Sequence, residues 1–392
     1  MSAPASQALT DLFSRSADLV PMLRENAGAT ERARRLAPGN IDALAEAGVF
    51  RLSVPRRFGG YEADLATQNA VLENIARGCG STAWVCSVYS ACIWFVGLYP
   101  DEAQEEVFAT PNVRVAGVVA AAATARRTDG GYVVSGRWPF NTGCLDAQWA
   151  TLGVPLGSAE DPQVALALMP YSDLEIQDDW YVTGLAGTGS NTVVADEVFV
   201  PDHRLLPIER AAREDYLSEL NADVTLFRYS LAPFIVAASA STAIGLARAA
   251  MEFFLERASR RGITYTTYDR QLDAAITHQQ VGEAALKIEA ASLFREKASA
   301  LVMEKADDGI PWSIGERVEV RAETAYAVRL AKEAIQILFD ASGATSLRED
   351  LPIQRVARDA QAISLHALLL PSMNIELLGR ILCGLEPNSF PL

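Results

Sequence analysis

Between Val113 and Val200 the sequence abandons the helical spacing of apolar residues that governs it on either side, and this change of period limits the folds open to the chain more than any other feature. From Leu9 to about Ala109 the pattern is helical, punctuated by turn signals at Pro38-Gly39, Gly59-Gly60 and Gly78 to Gly80. The segments 113–119, 124–128, 131–140, 149–156, 164–169, 174–182 and 192–200 are short, rich in β-formers and parted by Gly, Asp or Pro, which predicts strands. Asp129-Gly130 predicts a hairpin turn. From about Asp223 helical spacing returns in four long runs, the third following Pro311 and opened by a capping box from Ser313 to Glu316. The class is therefore α+β, with a helical domain at 1–110, a β domain at 111–222 and a helical bundle at 223–392. Residues 262–274 are expected to form a loop between two helices.

A chain of 392 residues, half of them apolar, can bury a large core in two or three layers or domains. Its net charge of −15 disfavours nucleic acid and anionic membranes as partners. The five cysteines form no paired C-x-x-C cluster, so they are expected to be reduced cytosolic thiols with no metal site. No signal-peptide pattern opens the chain, and the apolar stretch near residues 91–98 is too short to span a bilayer, so a cytoplasmic protein is expected. The glycine-rich run from Gly184 to Ser190 lacks the strand-then-helix setting of a dinucleotide fingerprint, so no classical nicotinamide site is expected.

Among residues able to do chemistry, His366 has Ala362, Ile363, Leu369 and Leu370 as its neighbours on an expected helix face, where burial would keep the imidazole neutral near pH 7. Such a residue is either a general base or a core histidine satisfied by one hydrogen bond. Pro371 should end or kink that helix. Arg260 and Arg261, at a helix end, suit either a phosphate or the helix dipole. His203 and His278 read as turn and surface residues with no catalytic role.

Gly48 to Tyr61, Gly130 to Gly143, Val198 to Pro201, and Ile335-Gln336 through Arg355 to Asp359-Ala360 resemble, in order and spacing, the acyl-CoA dehydrogenase fold from about residue 40 to 380. The resemblance implies an N-terminal helical domain, a central β-barrel-like domain, a C-terminal four-helix bundle and a homotetramer. Trp138-Pro-Phe-Asn-Thr-Gly143 is more similar to the two-component flavin monooxygenases of the 4-hydroxyphenylacetate and aromatic polyketide hydroxylase type. Where dehydrogenases carry a catalytic glutamate, this chain has Ile363 to Leu368 with His366, so the base for thioester dehydrogenation is missing.

What the resemblance implies is an oxygenase component using reduced FMN, or FAD, with molecular oxygen as co-substrate, through a flavin C4a-hydroperoxide. A separate reductase would supply the reduced flavin and a small phenolic or polyketide substrate would be hydroxylated. His366 would be the base and contact substrate, and Thr142 would be a donor at the flavin N5 and O4 edge. Trp138, Phe140, Asn141 and Gly143 would border the ring, and Arg261 or Arg260 would meet the phosphate. Gln336, Ser342 and Gly343 would come from the neighbouring subunit. Cys92 and Trp94 would line the substrate site, in a helix where phenol hydroxylases often carry a histidine. The rival readings are an N-oxygenase of an amino sugar, an atypical dehydrogenase and a non-catalytic flavin-binding subunit.

Overall fold

The computed structural model describes residues 3–157 and 162–389. Among the described residues, six helices come first: α1 (Ala3–Asp18), α2 (Val20–Ala33), α3 (Pro38–Ala47), α4 (Leu65–Gly78), α5 (Gly80–Val96) and α6 (Asp101–Phe108). Local sequence sets several of their ends. Pro38 opens α3, and the Asp64 side chain caps α4 by accepting the Thr67 amide at 2.8 Å.

The strands are β1 (Val115–Val118), β2 (Ala123–Thr128), β3 (Gly131–Trp138), β4 (Trp149–Gly157), β5 (Pro162–Pro170), β6 (Glu175–Gln177), β7 (Thr192–Pro201) and β8 (Leu205–Pro207). The hairpin at Asp129-Gly130 joins β2 to β3, with Gly130 at φ +72° and Thr128 opposite Gly131. Among the described residues these strands form two four-stranded sheets, ordered β1-β4-β5-β8 and β2-β3-β7-β6. Their inner faces share one core that includes Trp138, Leu152, Ala167 and Val193. The barrel-like expectation thus takes the form of two separate sheets around a common core. The segment expected as a strand from Leu174 to Val182 pairs only over Glu175–Gln177. Beyond it, Asp179 turns its carboxylate to the Thr192 amide and hydroxyl, which takes the chain off the ladder. Strand β8 was not expected, because at three residues it is too short to display an alternation.

The last part comprises α7 (Ile208–Ala212), α8 (Leu231–Ala237), α9 (Ser241–Ala258), α10 (Ala275–Asp308), α11 (Ile314–Ala341), α12 (Pro352–Ile363) and α13 (Pro371–Leu382). Both halves of the capping box at Ser313 and Glu316 are formed at the start of α11. Residues 262–274 connect α9 to α10 with only a short 3₁₀ turn at Gln271–Asp273. Helix α9 lies so close to α4 that a Cβ on Gly245 would sit 2.4 Å from the Glu73 carbonyl oxygen. The apolar stretch at 91–98 falls in and just after α5, and among the described residues one longer helical stretch, Leu231–Ala258, has the length and mean hydropathy (1.5) of a membrane span, yet 78% of its window is buried in the protein.

His366 departs from its expected place. Helix α12 ends at Ile363, and His366 lies in the turn before α13, not on a helix face. The amides of Leu365 and His366 bond back three residues, tightening the last turn, and Pro371 opens α13 instead of kinking a continuous helix. Pro371 keeps the turn from continuing into α13: the residue before a proline is pushed out of the helical region, and Leu370 sits at ψ 110°.

Candidate active site

Four parts of the chain converge on a cavity of about 570 Å³: the N-terminal half of α5, the turn after β3, the segment between β6 and β7, and the end of α12 with its following turn. Trp84, Phe140, Trp180 and Leu365 give it apolar walls, while Thr142, Thr188, Ser190, Arg358, Gln361 and His366 supply its polar groups. Among the described residues no carboxylate lines it. Its size and its few convergent polar groups are those of a small-molecule pocket.

The segment between β6 and β7 is strapped to α12. A Cβ on Gly184 would lie 2.3 Å from the Arg358 carbonyl oxygen, so only glycine fits there. Leu185 adopts φ +54° and donates its amide to Asp359 Oδ1 at 2.6 Å, and Arg358 donates to the Thr183 carbonyl. Asp359 is buried, and loss of solvation pushes its carboxyl up to about 6 against the pull of the Leu185 amide. Trp180 Nε1 donates to the Leu185 carbonyl at 3.2 Å and its ring meets Phe140 edge-on, with centroids 5.8 Å apart.

His366 packs edge-on against Trp84, with ring centroids 5.3 Å apart at 67°. As a residue it is exposed, yet desolvation of the ring lowers its pKa below 6.5. With no acidic residue among the described lining to oppose this, the imidazole is neutral at pH 7. Its Nδ1 faces the Leu368 amide at 3.4 Å, too long to lock the ring in one tautomer.

Phe140 and Thr142 stand in the cavity as expected, but other expected contacts do not. Trp138 is fully buried between the sheets, with Nε1 donating to the Gly153 carbonyl at 2.9 Å. Strand β3 ends there, and Phe140 takes φ +61°, which turns its ring out of the sheet core and leaves it 69% exposed. Asn141 is turned inward, where Oδ1 accepts the Tyr171 hydroxyl at 2.9 Å. Gly143 is enclosed by Tyr89, which would collide with a Cβ at 2.7 Å. Cys92 and Trp94 lie in a separate core: burial pushes the Cys92 thiol up to about 12, and Trp94 donates to the Leu226 carbonyl at 2.7 Å with its ring 4.3 Å from Phe234. Trp84, not Trp94, is the α5 residue that reaches the cavity, and α5 is buried on almost every side, so spacing could not reveal which face did.

A second cavity, of about 350 Å³, gathers Arg257, Arg260, Arg261 and Ser342, with Glu256 as the one acidic residue among the described lining. Arg261 donates from Nη1 to the Ser342 carbonyl at 2.7 Å and from Nε to Gln271 at 2.9 Å. Burial, and then the charge of Arg257, lower its pKa, so this corner would gain from an anion. Gly343, at φ +63°, passes beside it. Gln336 lines a wider groove of about 1060 Å³ that shares Thr183, Arg358 and Gln361 with the first cavity and Phe253 and Pro352 with the second.

Residues 17–114 match the family described as acyl-CoA dehydrogenase, N-terminal domain, and residues 237–371 the corresponding C-terminal domain. A FADH(2)-dependent resorcinol hydroxylase, oxygenase component, from Rhizobium sp. (strain MTP-10005) is 33% identical over 392 aligned residues, covering 96% of this chain and 95% of that protein. The flavin-dependent monooxygenase, oxygenase subunit HsaA, of Rhodococcus jostii (strain RHA1) is 33% identical and covers 89% and 92%. The structure of XiaF from Streptomyces sp. in complex with FADH2 and glycerol superposes with a TM-score of 0.93 at 31% identity, covering 100% and 99% of the two chains.

Proposed function

The chain belongs to the acyl-CoA dehydrogenase family, and from that premise we propose that it is the oxygenase component of a two-component flavin-dependent monooxygenase that hydroxylates a small aromatic substrate. The observation that carries this is the cavity in which a neutral His366 and the Thr142 hydroxyl share apolar aromatic walls with no carboxylate among the described residues. Thioester dehydrogenation would need a carboxylate base there, so the dehydrogenase alternative loses its chemistry.

A flavin ring suits this cavity. Phe140 presents an aromatic face largely without protein cover, Trp180 stands edge-on to it, and Thr142 offers a polar atom beside them. Bound reduced flavin supplies the activation of molecular oxygen and the transfer of one oxygen atom. The chain's own residues do the rest. His366 takes the proton of a phenol, and the resulting imidazolium holds the phenolate by charge, raising electron density on the carbon to be hydroxylated. Buried Trp84 and half-buried Trp180 wall the reacting groups against water.

The reduced flavin comes from a separate reductase. The parallel strands β1 and β4 are linked by the β2–β3 hairpin rather than by a crossover helix, so no βαβ nucleotide unit exists among the described residues. Two relatives above 30% identity whose names state the cofactor both give FADH2, which favours FAD of the two flavins that the resemblance implies. The homotetramer that the resemblance implies, with a neighbouring copy contributing to the cofactor site, belongs to this proposal.

Two measurements test this reading. Incubation with a flavin reductase, FAD, NADH and a panel of resorcinol-like and other phenols under ¹⁸O₂ should give a product carrying one ¹⁸O; label entering only from water, or reduction of bound flavin by a thioester, would refute it. Arg261→Ala should weaken reduced-flavin binding by about tenfold or more, the size of one charge-assisted hydrogen bond. Turnover at saturating flavin should survive, and an unchanged dissociation constant in anaerobic titration would remove Arg261 from the cofactor site.

A further inference from the structure

A further cavity, of about 570 Å³, opens at the end of α5 remote from His366, between the segment 213–228 and the turn 309–311 that follows α10. It shares no lining residue with the three cavities described above. Buried Gly97 and Phe227 and half-buried Tyr216 give it an apolar side. Tyr216 is fixed there: its hydroxyl donates to the Tyr229 carbonyl at 2.6 Å, and its ring meets Trp94 edge-on with centroids 6.4 Å apart. Exposed Ile310 and Pro311 add apolar surface.

The charged groups of this lining do not cancel. Asp215 is held by Arg210 at 2.7 and 2.9 Å, Glu214 by Arg317 at 3.2 Å, and Lys305 by Glu316 at 2.6 Å and the Pro311 carbonyl at 3.1 Å. The guanidiniums of exposed Arg213 and half-buried Arg228 make no ion pair, hydrogen bond or ring contact among the described residues. Arg228 lies beside Gly309, the φ +65° residue that ends α10, where a Cβ would be 3.4 Å from its Nη2. The helix dipole accounts for a cation at that end, but no carbonyl among the described residues accepts from it, so its N–H donors are unused. Asn221 is buried and spends both Nδ2 protons on the Gly97 carbonyl at 2.8 Å and Gln104 Oε1 at 3.0 Å. That fixes its amide and leaves Oδ1 as an acceptor with no donor among the described residues.

We propose that this cavity is a second binding site, separate from the flavin cavity, for a small hydroxylated dicarboxylic acid whose carboxylates pair with Arg213 and Arg228 and whose hydroxyl donates to Asn221. Two unused guanidinium forks match two planar carboxylates, and the single unused acceptor matches one hydroxyl. The apolar side formed by Phe227, Tyr216 and Ile310 suits a carbon skeleton better than an inorganic ion. Glu214 and Asp215, though paired, stand in the same lining and penalise a more highly charged occupant such as a polyphosphate. The volume lies in the range of small-molecule pockets. An occupant held in this way ties the segment leading into the helical bundle to the end of α10. The site shares no residue with the His366 cavity, so it stands apart from the flavin reading.

The test titrates the full-length protein with L-malate in a calorimeter at fixed ionic strength. One saturable site per chain is expected, and malate should raise the midpoint of thermal unfolding, because a ligand that binds only the folded state stabilises it. Arg213→Gln and Arg228→Gln should each raise the dissociation constant about tenfold, the size of one charge-assisted hydrogen bond. Arg213 is exposed and unpaired, so its variant keeps the fold and decides alone if Arg228→Gln does not. Succinate, which lacks the hydroxyl, should bind about fivefold more weakly than malate, and inorganic phosphate more weakly still. Absence of saturation at concentrations several times a dissociation constant of about 1 mM would overturn the site. So would a malate affinity indifferent to both arginine variants. Phosphate binding as tightly as malate would overturn the dicarboxylic acid as its ligand.

Discussion

Replacing His366 with alanine is expected to lower hydroxylation by about 10² to 10³-fold, the usual worth of a positioned general base, while reduced-flavin affinity stays within about twofold. The imidazole packs edge-on against Trp84 and is none of the groups assigned to holding the flavin, so its loss leaves those contacts in place. Reduced flavin should still be oxidised by air, but with hydrogen peroxide released instead of hydroxylated product. Oxygen uptake, peroxide yield and product formation measured together decide the matter, and coupled turnover persisting in the variant would remove His366 from the mechanism. The wild-type pH profile gives a second check. Desolvation lowers the imidazole pKa below 6.5, so the neutral base persists into weak acid and the acidic limb of kcat/KM should lie below that value. In His366→Ala this limb should vanish.

The second large effect is on stability and its sign is set by Asp359. Burial raises this carboxyl from 3.8 to about 6, so the folded state binds its proton more tightly than the unfolded chain does. The stabilisation is fully present below about pH 4 and is lost as pH rises through 6. A shift of about two units corresponds to about 3 kcal/mol. Asp359→Asn keeps an amide oxygen for the Leu185 N–H but has no charge to desolvate. Relative to wild type, it should therefore gain up to about 3 kcal/mol between pH 4 and pH 8, measured as the difference between the two urea-unfolding curves at each pH. Arg355 and Arg358 oppose the shift and Glu31 adds to it; their interactions with the Asp359 charge are already contained in the net shift and are lost with it in the variant. Parallel pH dependences would show that Asp359 is not a desolvated carboxylate.

Features whose cause lies within a few residues are legible in the amino-acid sequence. The Asp129-Gly130 hairpin, the Ser313–Glu316 capping box and the change from helical to strand spacing follow from turn chemistry, capping and side-chain period. Of the single residues that the resemblance points at, His366, Phe140 and Thr142 line one cavity, and nothing in their local sequence marks them as neighbours. Strand alternation puts Trp138 and Phe140 on one face, yet β3 stops at Trp138 and the positive φ of Phe140 sends the two rings to opposite destinations. In α5, Trp84 and Trp94 are both deeply buried, so no apolar stripe marks the face that meets the cavity.

By itself, then, the sequence determined the order of the elements, the ends of several of them and the apolar neighbourhood of a lone histidine, because those depend on forces acting between near neighbours in the chain. Only the tertiary structure decided which aromatics wall the cavity, that His366 sits in a turn, and which hydroxyls meet. Those outcomes depend on contacts such as Leu185 with Asp359, 174 residues apart, and Thr142 with Ser190, 48 apart, whose partners are chosen by how whole elements pack and not by anything written beside either residue.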